Sequence, residues 1–433
     1  MGVAGSFPKG ILKVSVYFLR VSLDRNVYRN QPIFSGRLSP ILFALLFLEC
    51  SLVANGQSHI VDSTLLVEGA VNNVPAVFLL DTGAERSALD KHFATQIGLN
   101  SASVQTLQHP FQNELSGSVF VRDFCIQSIA TKNVDLLTTD LTPQSRAIGE
   151  KIDGVLGVDL LRKYWVTIDY AAGMVKLDLF PEGELGRPVR LYSVGDRFFV
   201  PLRIQGEPMD FLLDTGTDLS VMSYSGWLQL NRKWKPPALI SGIRSPGSPT
   251  PSRLMCVSDL EIESVEYRQV PMRVLTQASS GFLSFPNEKG LLGSDFLKQF
   301  MIELDFGKET MFLRPNPAYR GDNDRFSSIG IQFVKDASGP FVIMAVWTPS
   351  PAATAGMKTG DRVVEVNGAN TAKMNQNDFS QQLHGPAGQK VTLLIKSGKH
   401  ERYAVLTINN LLCQPAAKIS SASPNVSRAT VPP

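Results

Sequence analysis

The sequence has little of what builds metal and redox centres. It carries four cysteines and five histidines in 433 residues. Cys50, Cys125, Cys256 and Cys413 form no C-x-x-C pair, and none has a histidine at metal-ligand spacing. His59, His92, His109, His384 and His400 are scattered, and no H-E-x-x-H occurs. A zinc site or metallopeptidase centre has no ligands to draw on, so no metal and no other cofactor is expected. A disulfide scaffold is not indicated either. Charge of one sign is missing too. The net charge is +3, with both signs mixed along the chain and no basic cluster, so nucleic acid is not an expected partner.

What is present is ordinary globular material. Hydrophobic residues make up 43% and charged residues 19%, which is too apolar for a disordered chain. The length suits two to four domains of roughly 100–200 residues each.

The apolar run Ile41–Leu48 (ILFALLFL) follows Arg37 and is too short for a comfortable membrane span. After Glu49, Ala54 and Gly56 offer the small residues of a cleavage site, with Gln57 as the mature N-terminus. Residues 1–56 therefore read as a leader with a signal peptide. The expected location is exported, periplasmic or extracellular, with this segment as the stretch able to hold a membrane. Glu49 occupies the place where a lipobox needs a small residue, so cleavage is preferred to lipidation of Cys50. The leader is long, which leaves the start codon open.

An internal repeat sets the architecture. Residues 77–89 (VFLLDTGAERSAL) and 210–222 (DFLLDTGTDLSVM) share seven of thirteen positions, at an offset of 133. Residues 154–177 (GVLGVDLLRKYWVTIDYAAGMVKL) and 290–313 (GLLGSDFLKQFMIELDFGKETMFL) match at an offset of 136. Each unit reads as mostly β. Thr64–Glu68 and Val200–Ile204 are strands, followed by turns at Val71–Pro75 and Gly206–Pro208 and an apolar strand into an Asp. Trp165–Asp169 and Met301–Asp305 are further strands. Asp159 and Asp295 read as N-caps of short helices. Cys125 and Cys256 lie 44 and 42 residues after their Asp, which suggests equivalent positions and buried, inert thiols rather than a bridge.

The two Asp-Thr-Gly triplets carry the chemistry. Two carboxylates held together cannot both ionise, so they share a proton. One can act as base toward water while the other protonates a carbonyl oxygen. Asp81 and Asp214 are the candidate pair. Gly83 and Gly216 let the backbone come close to them, and Thr82 and Thr215 can hydrogen-bond across the seam. The apolar FLL strands supply a low-dielectric floor.

These blocks resemble the aspartic peptidases of the pepsin/retropepsin superfamily. The resemblance rests on Leu79–Gly83 with Val155–Gly157, and on Leu212–Gly216 with Leu291–Gly293. It covers residues 60–315 and implies a mainly β, bilobal acid-protease fold made by duplication, with lobes at 57–182 and 195–316. One chain then forms the whole site as a monomeric unit. Asp81 and Asp214 are catalytic, and Thr82, Gly83, Thr215, Gly216 and Thr217 support the dyad. A hydroxyl at Thr217 can bond a carboxylate, whereas Ala84 cannot, which implies a less acidic optimum than pepsin's. Glu114–Val119 and Ser241–Pro246 are flap candidates by position and glycine content.

After a polar linker, Asn316–Phe326, the stretch Ser350–Gly368 (SPAATAGMKTGDRVVEVNG) resembles a PDZ domain of the bacterial type found on exported proteases. That resemblance spans 326–410, with Gln376–Leu383 as a helix and Val391–Lys396 and Tyr403–Ile408 as strands. It implies an extended peptide ligand bound between Phe341–Val346 and the helix, with Gly339, Pro340, Phe341, Val342 and Ile343 as binding residues. Residues 411–433 read as a disordered tail. Together the resemblances imply an endopeptidase acting on protein or peptide. A non-catalytic envelope peptide binder or scaffold is the alternative.

Overall fold

The structure is a computed structural model. It describes residues 57–412 apart from 62, 102, 109–112, 128, 182, 237–238, 244–251, 279–280, 320–325 and 337–338. Only the backbone is described at 103–108, 113–115 and 282. The expected leader and all of the expected tail beyond Leu412 lie outside the described residues.

Lobe 1 begins with a tight hairpin. Asn72 and Asn73 take φ of 47° and 66°, the left-handed region that asparagine tolerates. They join Thr64–Val71 to Val74–Leu80 with Val71 opposite Val74. In lobe 2, Gln205 and Gly206 (φ 52° and 76°) make the same turn between Arg197–Ile204 and Glu207–Leu213.

Each hairpin's second strand runs into its Asp-Thr-Gly triplet and pairs in parallel with the glycine-led strand of the second repeat block. Phe78–Leu80 lies beside Gly154–Leu156, and Phe211–Leu213 beside Gly290–Leu292. Such a strand is covered on both faces, which is why it reads as an unbroken apolar run. At Gly154 a Cβ would stand 2.6 Å from the Phe78 ring, so glycine is needed for this contact.

The two lobes have the same eight-strand order, and each closes on itself by a further pairing, of Thr64–Val71 with a long hairpin strand in lobe 1 and of Arg197–Ile204 with one in lobe 2. In lobe 1 the long hairpin strands are Asn113–Ile126 and Ile129–Thr139, and in lobe 2 Ser252–Ile262 and Val265–Leu275. A five-stranded sheet joins the lobes. Trp165–Asp169 of lobe 1 pairs with Phe300–Asp305 of lobe 2, and Thr310–Pro315 continues it to Arg187–Arg190. One apolar core spans both lobes.

The C-terminal domain has its own core, centred on Phe341 stacked 4.1 Å from Phe379. Its sheet runs Ile331–Lys335, Phe341–Val346, Arg362–Val366, Lys390–Ser397 and His400–Thr407. The helix Gln376–Leu383 forms as expected.

Two boundaries move. Phe326, read as the end of a polar linker, is buried. Leu411, read as the start of the tail, donates its N–H to the Phe326 carbonyl at 2.8 Å, and with Leu412 it packs against lobe 2.

Cys125 and Cys256 also depart from expectation. Each is in a disulfide. They are not equivalent positions either. Cys125 faces Ala130, one pair from the hairpin end, and Cys256 faces Pro271, six pairs from its end. Counting residues from the Asp missed this because lobe 2 has three more residues between its Asp and its hairpin turn, 48 from Asp214 to Ile262 against 45 from Asp81 to Ile126, whereas ladder register puts Glu261 at the place of Cys125.

Candidate active site

The two triplets meet at the seam between the lobes. The Asp81 N–H donates to the Leu156 carbonyl and the Asp214 N–H to the Leu292 carbonyl, both at 3.1 Å. Each aspartate is thus fixed to the end of its parallel strand. Asp81 Oδ1 accepts the N–H groups of Gly83 (2.8 Å) and Ala84 (3.1 Å). Asp214 Oδ1 accepts those of Gly216 (2.9 Å) and Thr217 (3.0 Å).

The glycines act through space rather than backbone angle. Neither has a positive φ. A Cβ on Gly83 would stand 2.7 Å from the Asp214 carboxyl carbon, and one on Gly216 would stand 2.5 Å from that of Asp81. Each carboxyl therefore rests over the glycine of the opposite lobe.

The threonines lock this arrangement. The Thr82 hydroxyl donates to the Leu213 carbonyl (2.9 Å) and accepts the Thr215 N–H (3.1 Å). The Thr215 hydroxyl donates to the Leu80 carbonyl (2.9 Å) and accepts the Thr82 N–H (3.0 Å). Both threonines are buried, so these four bonds are made away from water.

The carboxyls are unequal in burial. Asp81 is partly exposed, whereas Asp214 is 5% exposed. Burial raises the Asp214 pKa well above the ordinary carboxylate range. The charge of Asp81 and a hydrogen bond between the two carboxyls raise it further, against the pull of the Gly216 and Thr217 N–H groups. The pair thus shares a proton more readily than it loses both, with burial acting on the Asp214 side.

The hydroxyl of Thr217 does not produce this inequality. It donates to the Leu219 carbonyl at 3.3 Å, and only its backbone N–H reaches the carboxylate, just as that of Ala84 does. The expected Ala84/Thr217 asymmetry is absent because the side chain turns along its own loop.

A second pair of ties was not foreseen as part of the site. Asp159 Oδ1 accepts the Ser87 N–H (2.9 Å) and hydroxyl (2.6 Å), and Ser87 Oγ accepts the Gly157 N–H (2.9 Å). Asp295, Ser220 and Gly293 repeat this in lobe 2 at 2.8, 2.7 and 3.0 Å. These aspartates are not N-caps, since Gly157 and Gly293 hold the cap positions. They tie the Asp-Thr-Gly loop to the glycine-led strand. The signal was in the repeat, where Ser87/Ser220 and Asp159/Asp295 are identical pairs.

Ion pairs also join the lobes. Glu85 pairs with Arg197 of lobe 2 at 2.5 Å, and Arg162 pairs with Asp196. The flap candidates lie on the outer hairpins, Glu114–Val119 within Asn113–Ile126 and Ser241–Ile243 within Ile240–Ile243. Residues 109–112 and 244–251, which include 244–246 of the second candidate, lie outside the described residues.

The expected peptide-binding residues of the C-terminal domain are not at a free edge. Phe341–Val346 is hydrogen-bonded to Ile331–Lys335 on one side and to Arg362–Val366 on the other. The Gly339 N–H donates to the Asp336 carbonyl at 3.0 Å, and Pro340 has no N–H. Phe341 and Ile343 are fully buried. The edge strand is Ile331–Lys335, beside the helix Gln376–Leu383 through Phe333 and Phe379, whose rings are 4.7 Å apart. Its weak polar/apolar pattern next to a polar linker hid it in the sequence.

Comparison with known proteins agrees with this geometry. Residues 67–160 and 200–296 match the family model described as aspartyl protease, and residues 342–397 match the PDZ domain model. The two lobes form a pepsin/retropepsin-like aspartyl protease domain, and the C-terminal part is a PDZ domain. No curated protein matches the chain. Among solved structures, a photosystem II D1 C-terminal processing protease aligns at 24% identity and a TM-score of 0.19, covering 21% of this chain and 24% of that one. The chain thus spans about a quarter of that protein's length, and a likeness of this extent carries no argument.

Proposed function

We propose that this chain is an aspartic endopeptidase whose catalytic residues are Asp81 and Asp214. The observation that carries the reading is the dyad itself, two carboxyls from equivalent loops, each accepting two N–H groups of its own loop and resting over the glycine of the other. The ionised Asp81 takes a proton from water as the water oxygen attacks the peptide carbonyl carbon. Asp214 gives its proton to the carbonyl oxygen, and a tetrahedral diol forms. On collapse, Asp81 passes the proton it took from water to the amide nitrogen as the C–N bond breaks, and one hydroxyl of the diol returns its proton to Asp214. The low-dielectric floor under the pair strengthens both transfers.

The substrate is a polypeptide, and the active unit is a monomer because the five-stranded sheet joins both lobes within one chain. The PDZ domain takes an extended peptide by strand addition. Disulfides at Cys125 and Cys256 support an exported location in an oxidising compartment, periplasmic or extracellular.

The test is inhibition by a peptide mimic carrying a central hydroxyl in place of the attacked carbonyl. It should compete with cleavage of an unfolded protein and should not bind Asp81→Asn with the same affinity. Cleavage insensitive to such a mimic overturns the reading.

A further inference from the structure

The duplicated lobes diverge where the PDZ domain touches lobe 2. In lobe 2, Leu219, Ile240, Ile243 and Leu254 form a buried apolar cluster with Phe326, and Trp347, Leu411 and Leu412 of the C-terminal part pack onto it. Ladder register and the repeat offset give the lobe 1 counterparts. They are Arg86 for Leu219, Ser103 for Ile240, Gln105 for Ile243 and Ser118 for Leu254. All four are polar. Arg86 lies partly exposed against Asp159, where Leu219 is 4% exposed. One copy of the lobe is apolar at the face the PDZ domain covers, and the other is polar at the matching positions.

The contact is more than apolar. The Ser241 N–H donates to the Thr348 carbonyl and the Thr348 N–H to the Ser241 carbonyl, both at 2.9 Å. The chain that continues from the PDZ strand Phe341–Val346 thereby pairs with the outer hairpin strand Ile240–Ile243. Gly242 sits at φ 88°, and a Cβ there would collide with the Val346 carbonyl oxygen. Leu219 lies five residues after Asp214, and its neighbour Ser220 bonds Asp295 and Gly293. The cluster thus touches both the catalytic loop of lobe 2 and the base of its outer hairpin.

We infer that the PDZ domain is a positioning element of the lobe 2 catalytic loop and outer hairpin, built into the proteolytic unit through Trp347, Thr348, Leu411 and Leu412. This rests on the peptidase reading above for its catalytic consequence. Apolar side chains from the C-terminal part pack on Leu219, so the loop carrying Asp214 is held from the side where lobe 1 has Arg86 paired with Asp159. A displaced loop changes the relation of Asp214 to Asp81, and near-attack geometry is sensitive to shifts of that size.

The test uses the full chain with Trp347→Ala on the PDZ side and Gly242→Val on the hairpin side. Hydrogen exchange should quicken at least about tenfold at 219–222 and 252–262, as local opening replaces packed structure. The counterparts at 86–89 and 116–126 should not change. In the same variants kcat should fall at least about tenfold with a smaller change in KM. Unchanged exchange at 219–222 and 252–262 in both variants overturns the inference. So does loss of protection across both lobes in both variants, because docking would then be a requirement of folding rather than of position. If the parent chain cleaves nothing, the peptidase reading fails while the exchange comparison still decides this one.

Discussion

Thr82 and Thr215 each accept the other's backbone N–H, at 3.1 and 3.0 Å, through hydroxyls that donate into the opposite lobe. The two lobes therefore share one buried hydrogen-bond unit directly beneath the carboxyls. Thr215→Val keeps the shape and removes the hydroxyl, leaving the Thr82 N–H and the Leu80 carbonyl unpaired. Each buried group left so should cost about 1–3 kcal/mol. Denaturant unfolding should show that loss, together with a lower kcat. Stability and kcat equal to the parent's would contradict the role of the lock.

The raised pKa of Asp214 fixes the sign of two pH effects. For activity, the alkaline limb marks deprotonation of Asp214, so it should lie well above the ordinary value of 3.8. For stability, the folded state holds a proton that the unfolded state releases. Stability should fall as pH rises from the ordinary carboxylate pKa through the raised one, with the full loss reached above it. Asp214→Asn removes this dependence, so the Tm difference between variant and parent should grow with pH across that window. A pH-independent difference would show that burial does not perturb this carboxyl.

Ser220→Ala should loosen lobe 2 selectively. It leaves the buried Gly293 N–H without its acceptor and takes one donor from Asp295. The expected loss is about 1–3 kcal/mol per group left unpaired, with a matching loss for Ser87→Ala in lobe 1. A crystal structure or exchange data should locate the change at Gly293 or Gly157. No change in either variant would mean that backbone pairing alone holds the loop.

Gly216→Ala puts a methyl group 2.5 Å from the Asp81 carboxyl carbon. The change is a displaced carboxyl rather than an unfolded protein, because neither glycine needs a positive φ. Activity should drop by at least about a hundredfold for a misplacement near 1 Å, with the circular dichroism spectrum retained. An active Gly216→Ala enzyme would contradict the close approach of the two loops.

The duplicated fold and the dyad were legible because the repeat fixes both at once. Two Asp-Thr-Gly loops in matching flanks must be related by a pseudo-twofold, and that brings Asp81 to Asp214. The ties from Ser87 and Ser220 were equally visible as identical pairs, but a short helix after Asp159 and Asp295 offered a local explanation as caps. What was not legible depends on pairing rather than on pattern. The edge of the PDZ sheet follows from which strand ends the strand order, and Ile331–Lys335 gave too weak an alternation to be seen. Cys125 and Cys256 looked equivalent by count and are five ladder positions apart by register. The direction of the Thr217 hydroxyl is a rotamer choice that no sequence pattern specifies. The apolar character of Leu219 and Leu254 was in the sequence, but its meaning appears only with the PDZ domain packed on them.

The most direct measurement is the cleavage of an unfolded protein by the parent chain, Asp81→Asn and Asp214→Asn, followed across pH. The account predicts cleavage by the parent with an alkaline limb well above the ordinary carboxylate pKa, and none by either variant, with both variants folded by circular dichroism. Cleavage at the parental rate by either folded variant would contradict it.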